Sequence, residues 1–315
     1  LPDPDAIVLS ILIPDLDSPS VDRTLAALAA QGAPGPGIEV VVVGKDAPGK
    51  VPRERTGSGL RFVETAERLN PAAARNRAVE VARGSRLLFV DADCRPAPGW
   101  VQALAAALDR APIAGGAVDF PRFRRGGDRW ALADNIASFH ELLADRPAEA
   151  DSRRPLGSLN LAVRRDAWER VGPFDEALTT SEDHDWVLRA RKLGLATAFV
   201  PEARVEHAAV RASRHSLVEH ATWYGAHFHA FRARHPEAFA TGPTWASRRR
   251  LAWTAPVKAI TGSLAIFFHH RQALAGCLPA LPGVIAFRRA WYRSVLASWP
   301  APPLPSSDRP SSPPR

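Results

Sequence analysis

Three observations predict an α/β fold, a doubly wound and mostly parallel sheet flanked by helices. Apolar strands alternate with helices over residues 7–200, one helix opens and closes on recognisable caps, and one strand stops abruptly at two carboxylates. The first strand is read at Ile7 to Ile13, the first helix at Val21 to Gln31, and a second buried strand at Ile38 to Val43. Leu60 to Val63 adds a short strand. Asn70-Pro71 then supplies an N-cap with Pro at the first helical position, and that helix runs to Arg83 with Gly84 just past its end. Leu87, Leu88, Phe89 and Val90 have the composition of a fully buried strand, and Asp91 and Asp93 follow at its carboxyl end, where open α/β sheets bind ligands. A helix over Pro98 to Arg110 and a strand over Ile113 to Asp119 continue the alternation. Beyond them come a helix around Trp130 to Leu143, an extended Leu156 to Val163, a helix from Asp183 to Leu193 closed by Gly194, and a strand at Thr197 to Val200. Residues 214–235 read as an amphipathic helix rich in His and aromatic residues.

A chain of 315 residues has room for one large domain plus an appendage. Its two cysteines, Cys94 and Cys277, cannot build a disulfide framework, which suits a reducing compartment. The N-terminal Leu-Pro-Asp-Pro-Asp is acidic and proline-broken, unlike a signal peptide. Charge divides the chain. Residues 1–210 carry 27 basic and 30 acidic side chains, a net of −3, whereas residues 211–315 carry 14 basic and 3 acidic, a net of +11. Five of the nine tryptophans (Trp223, Trp245, Trp253, Trp291 and Trp299) lie in this basic part. Its apolar run at 259–268, and the uncharged stretch 272–287 interrupted by Pro279 and Pro282, each fall short of the ~20 residues of a spanning helix. Basic side chains, Trp and short apolar runs suit a surface lying on an anionic membrane; the plainer alternative is a helical subdomain with solvated arginines. The expected organisation is a catalytic domain over 1–210, a basic, Trp-rich helical region over 211–299 and a disordered Pro/Ser-rich tail over 300–315. No nucleic-acid-binding module is recognisable, so no nucleic-acid partner is expected.

Two acid clusters carry the chemistry. In an extended chain Asp91 and Asp93 would point the same way and face one hard cation, which could bridge to diphosphate oxygens. The plainer reading is a turn after a strand, where Asp is common. The second cluster, Ser181-Glu182-Asp183-His184-Asp185, opens a helix. Acids favour that position through the helix dipole, but three acids and a His exceed what capping needs. A carboxylate held ionised there suits a general base. His207, in Val205-Glu206-His207, is a metal-ligand candidate only if Asp91 and Asp93 hold a cation nearby.

Taken in order, these segments resemble the family 2 glycosyltransferases with the GT-A fold, over roughly residues 7–210. Ser10 to Pro14 looks like the family's first strand, and Asn70-Pro71-Ala72-Ala73-Ala74-Arg75-Asn76 like its Ala-Arg-Asn helix. Phe89 to Asp93 matches the metal-binding acid motif, and Gly157 to Asn160, Arg164-Arg165 and Val171 to Glu176 match the acceptor-side segment. Glu182-Asp183 matches the catalytic acid pair and Val205-Glu206-His207 the closing histidine. The resemblance implies a nucleoside-diphosphate sugar donor, and Mg²⁺ or Mn²⁺ held by Asp93 with Asp91 and His207. It implies Asp183 as general base of an inverting, hexosyltransferase-type transfer, with Glu182 beside it and Asp185 orienting acceptor or loop. Pro14, Asp15, Asp46, Arg75, Asp91, Ala92 and Asp93 are the implied donor and cofactor contacts. Arg75 has two readings, a nucleotide contact or a solvated helix charge. The acceptor is expected to be a glycan or lipid-linked glycan, and the protein to be cytoplasmic and peripheral on the inner face of the plasma membrane. One departure stands out: where relatives carry an acidic pair after the second strand, this chain has Gly44, so either Asp46 or Asp15 substitutes or the base is held differently. That loss supports a competing reading as a degenerate, membrane-associated scaffold, which the intact Asp91, Asp93, Asp183 and His207 oppose. A haloacid-dehalogenase-type phosphohydrolase would place its acid motif at the first strand, and a nucleotidyltransferase would follow that strand with a Gly-rich basic loop. Neither is present.

Overall fold

The computed structural model describes residues 7–52, 59–121, 128–145, 155–208, 211–239, 245 and 247–299. The expected tail at 300–315 and the N-terminal Leu1 to Asp5 lie outside them. Eight strands are described: β1 (Leu9–Leu16), β2 (Ile38–Lys45), β3 (Leu60–Glu64), β4 (Arg86–Val90), β5 (Cys94–Pro96), β6 (Ile113–Asp119), β7 (Asn160–Arg164) and β8 (Thr197–His207). They form one sheet in the order β3-β2-β1-β4-β7-β6-β8-β5. The β3-β2-β1-β4 half is wholly parallel, β7 enters antiparallel between β4 and β6, and β6 and β8 are again parallel. This is the mixed, mostly parallel sheet the sequence predicts. β1 sits between β2 and β4, so the strand order reverses there and a crevice opens at the strands' carboxyl ends, beyond Asp15, Lys45 and Val90.

Helices cover both faces. α1 (Val21–Ala29) and α3 (Trp100–Ala107) seal one with Leu28, Trp100 and Leu104; α2 (Pro71–Val81), α5 (Arg165–Val171) and α6 (Glu182–Lys192) seal the other with Ala78, Trp168 and Trp186. α2 begins as its sequence dictates, with the Asn70 side chain accepting from Ala73 N at 2.8 Å and Pro71 in the first turn. Trp100 and Trp168 are core residues, as expected.

α4 (Asp128–Phe139) packs with the C-terminal helices α7 (Arg214–Arg234), α9 (Arg248–His269) and α10 (Leu281–Ala297). Leu132, Ile136, Leu217, Ile266, Val284 and Phe287 share that core, and the short α8 (Pro236–Phe239) follows α7. Four details differ from the sequence reading. β8 continues through Pro201 to His207, and β5 is too short to announce itself. The apolar run at 259–268 is the second half of a 22-residue helix, long and apolar enough by composition to cross a membrane. Pro279 and Pro282 do not interrupt a helix: the first lies in a 3-10 turn over Leu278–Ala280 and the second in the first turn of α10, where Pro is tolerated.

Two arginines of this region pair with carboxylates earlier in the chain, Arg211 with Asp134 at 3.3 Å and Arg234 with Asp175 at 2.6 Å. The rings of His220, His235 and His270 lie within 2.9 Å of Asp134, Asp185 and Asp145.

Candidate active site

The carboxylates of Asp91 and Asp93 do not share a direction. Residues 91–94 form a tight turn closed by Cys94 N donating to Asp91 O at 3.0 Å, so the extended-chain reasoning fails. Thr24 from α1 holds that turn, its hydroxyl lying 3.0 Å from Ala92 O and 2.7 Å from Cys94 O. Ala92 therefore contributes a buried carbonyl that is already engaged.

Asp91 turns toward Arg75. The guanidinium, 3% exposed, spans two acids: Nη2 lies 2.6 Å from Asp91 Oδ1 and Nη1 lies 2.7 Å from Glu182 Oε1. Arg75 is no solvated helix charge. Its role is to hold two carboxylates that burial would otherwise set against each other. Burial raises the Glu182 carboxyl to about 7, with Asp183 adding to the rise and Arg75 opposing it. The next residue of α2, Asn76, pins the segment before α6: its Oδ1 accepts from Phe174 N at 2.9 Å and its amide donates to Phe174 O and Glu176 Oε1.

Asp93 turns toward His207, with Oδ2 3.5 Å from Nε2. Cys94 pairs with His207 across β5 and β8, and donor atoms of Asp93, Cys94 and His207 fall within 4.8 Å of one another. Asn135 of α4 sets the ring: its amide donates to His207 O at 3.4 Å, which leaves Oδ1 facing Nδ1 at 3.0 Å. With Nδ1 directed at Asn135 Oδ1, Nε2 is the nitrogen directed at Asp93. A carboxylate oxygen and an imidazole nitrogen so placed are the donor types that hold a divalent cation. The Cys94 thiol is pushed well up by burial and by Asp93 and Asp91, so it stays protonated and remains a packing group. Asp91 is not part of this set.

Asp183 lies at the first turn of α6 with both oxygens engaged. Oδ2 accepts from Ser158 N at 2.9 Å and from the Ser158 hydroxyl at 3.2 Å, and Oδ1 accepts from His184 N at 2.8 Å. Burial raises its pKa, but His184, the Ser158 amide and Arg75 outweigh burial and hold the carboxyl below its ordinary range. Asp185 points elsewhere: its oxygens meet Arg189 Nε at 2.8 Å and His235 Nε2 at 2.9 Å, tying α6 to the end of α7.

At the ends of β1 and β2, Asp46 is consumed by its own loop, accepting from Lys50 N and Val51 N at 2.8 Å. Asp15 is buried, accepts from Ser18 N with Oδ1, and leaves Oδ2 buried with no partner among the described residues. Burial, with Asp46 and Asp17 nearby, raises its pKa to about 6. Pro14 precedes it in β1 and is buried. Gly44 has φ of 139°, and a Cβ there would lie 1.9 Å from Asp15 O. Its missing side chain is a requirement of the close pairing of β2 with β1 at Asp15, which removes its weight as a sign of degeneracy.

A cavity of about 470 Å³ opens over the Arg75 bridge and Asp183, while Asp93, His207 and Asp15 are outside its lining. Arg75, Asp91, Glu182 and Asp183 line one wall, and Tyr224, Phe228, Trp245, Trp291 and Tyr292 from the C-terminal region line the other. The sequence reading grouped Trp223, Trp245 and Trp291 with a membrane surface; all three line the cavity, Trp223 while remaining 41% exposed. The sequence signal available for this wall was the density of aromatics in 214–235 and 291–292. Nothing in the sequence showed which way they face.

A family model described as glycosyl transferase family 2 matches residues 10–170. Glycosyltransferase AglE of Haloferax volcanii is 28% identical over 200 residues, covering 61% of this chain and 64% of its own length, so the chain spans just under two thirds of that relative. The mannosyltransferase PcManGT of Pyrobaculum calidifontis, solved in complex with GDP-Man and Mn²⁺, is 19% identical over 92% of this chain and 86% of its own, with a TM-score of 0.57. That likeness places the fold in the GT-A class.

Proposed function

The chain belongs to glycosyl transferase family 2, and on that premise we propose that it is a metal-dependent, inverting hexosyltransferase that uses a nucleoside-diphosphate sugar. The observation that carries this reading is the single cavity in which Asp183 and the Arg75-bridged acids face an aromatic wall. The proposed organisation is a catalytic domain over 1–210 and a helical region over 211–299 that closes the acceptor side.

Donor binding is assigned to the crevice beyond β1, β2 and β4. With Asp46 engaged by its loop, Asp15 is the group left to meet the nucleotide base, through its unpartnered Oδ2. Pro14 and Ala92 shape the crevice through their backbone. Asp93 and His207 would hold the divalent cation, Mg²⁺ or Mn²⁺, with Asp91 reaching it only by leaving Arg75. When bound, that cation neutralises charge developing on the departing diphosphate.

Asp183 would take the proton of the acceptor hydroxyl as that oxygen attacks the anomeric carbon from the face opposite the diphosphate. Its hydrogen bonds from Ser158 and His184 keep it ionised and fixed, and the oxocarbenium-like transition state makes the attacking hydroxyl acidic only as the bond forms. Glu182, held by Arg75, is proposed as the positioning partner. The aromatic wall suits a pyranose ring, which leaves a glycan or lipid-linked glycan as the acceptor. The enzyme is placed at the cytoplasmic face of the plasma membrane as a peripheral protein, through its basic region.

The test is thermal stabilisation by UDP, GDP, dTDP and CDP, each with and without Mn²⁺. A shift with one nucleotide that needs the metal and disappears in Asp93→Ala supports the reading. No shift with any of them, from a folded protein, overturns it in favour of the scaffold.

A further inference from the structure

α9 carries an apolar face that nothing described in the chain covers. Trp253 is 85% exposed, Val257 60%, Ile260 44%, Leu264 49% and Phe268 68%. Their spacing of three and four residues aligns them along one side of the helix, a strip about 22 Å long. The opposite side, Leu251, Ala255, Ala259 and Ser263, is buried, with Leu251, Ala255 and Ala259 packed in one cluster with Tyr292 and Val295 of α10. Arg248, Arg249 and Arg250 stand at the start of the strip and His269 and Arg271 at its end, with the Arg271 guanidinium over the Phe268 ring at 5.9 Å.

We propose that this strip of α9 docks in the plane of an anionic lipid surface, with its apolar side chains among the acyl chains and its flanking arginines on headgroup phosphates. The inference rests on the membrane contact proposed for the C-terminal region and names the face and the lipid chemistry. Charge selects the occupant. Residues 238–299 contain no Asp or Glu, and Asp145, the acid at the end of α9, is held by His270 at 2.8 Å, so a second copy pairing strip to strip would bring arginines against arginines. Anionic headgroups supply the missing charge.

Packing selects the orientation. The helix is long enough to span, but α10 lies along its inner side and presses the Arg288 guanidinium against Gly262 near the helix middle. A spanning pose would carry Arg288 into hydrocarbon, whereas an in-plane pose leaves it on the protein side. Lys258, half-buried at the border of the strip, can extend its ammonium to the headgroups.

The test is co-sedimentation of the full chain with vesicles of phosphatidylcholine alone and of phosphatidylcholine mixed with phosphatidylglycerol. Binding to the anionic vesicles only, weakened by salt and reduced at least ~10-fold in a Val257→Ser, Leu264→Ser, Phe268→Ser triple variant, is the expected result. Wild-type-like binding by the triple variant overturns the proposal. So does a wild-type dimer in light scattering that the triple variant converts to monomer. If the triple variant unfolds, Leu264→Ser and Phe268→Ser are tested singly, since both side chains are exposed. The nucleotide-dependent thermal shift is read in the same samples. Its loss with vesicle binding intact would sink the transferase reading alone, and the reverse pattern would sink this one alone.

Discussion

Nδ1 of His207 lies 3.0 Å from Oδ1 of Asn135, and the Asn135 amide in turn donates to the carbonyl of His207. A residue of α4 thereby chooses the tautomer of a histidine at the end of β8. Replacing Asn135 by Leu leaves the ring free to rotate and to protonate Nε2. Mn²⁺ affinity, measured by electron paramagnetic resonance titration in the presence of the nucleotide that binds, is expected to fall ~10–100-fold with the fold retained. Unchanged affinity would place the cation elsewhere.

Arg75 offers a stability test. Arg75→Met removes the only cation bridging Asp91 and Glu182 among the described residues and leaves the buried Glu182 and the half-buried Asp91 without their shared partner. The expected loss is about 3–5 kcal/mol in urea unfolding. Arg75→Lys recovers little, because a single ammonium cannot reach both carboxylates as the guanidinium fork does. Adding Glu182→Gln to Arg75→Met should restore part of the loss, since it removes one of the stranded charges. Equal stability of Arg75→Met and the native chain would refute a structural role.

The strand-and-helix alternation, the Asn70 cap and the order of the acid motifs were legible in the sequence because each depends on neighbours in the chain. What was not legible depends on residues far apart. The Asp91 and Asp93 carboxylates diverge because Arg75 claims one and His207 the other, from elements 16 and 114 positions away. Asn135 and Thr24 carry no motif, since a buried Asn or Thr shows its purpose only once its partners are placed. The aromatic residues of the C-terminal region looked like a lipid-facing set. Composition cannot separate Trp245 and Trp291, which face the cavity, from Trp253, which faces outward.

Asp15 predicts a pH dependence. Its carboxyl titrates at about 6 in the folded chain against the ordinary 3.8, so folding favours the protonated form. The contribution of Asp15 to stability is then full below about pH 4 and falls by up to about 3 kcal/mol as the pH rises through 6. In Asp15→Asn that part of the slope disappears, whatever the absolute stability of the variant, because the amide does not ionise, while the part owed to Glu182, raised to about 7, remains. Melting temperatures of both proteins between pH 4 and pH 7.5 decide it. Parallel curves would mean that Asp15 does not titrate in this range.

Asp183 separates chemistry from structure. Its oxygens accept from three donors, two of them backbone amides, Ser158 N and His184 N. An Asn can accept from only one of those amides, because its NH₂ must face the other. Asp183→Asn should therefore cost about 1–3 kcal/mol of stability. It should also cost at least ~100-fold in transfer while donor binding persists. Ser158→Ala removes only the hydroxyl contact and keeps the amide, so it should leave Asp183 ionised and lower transfer by a few-fold at most. Single-turnover rates with the donor found by thermal shift give both numbers. If Asp183→Asn transfers at the native rate, the carboxylate is a capping group of α6 and the base lies elsewhere in the cavity. If it loses transfer while Ser158→Ala does not, the reaction needs the carboxylate's charge and not merely its place at the head of the helix.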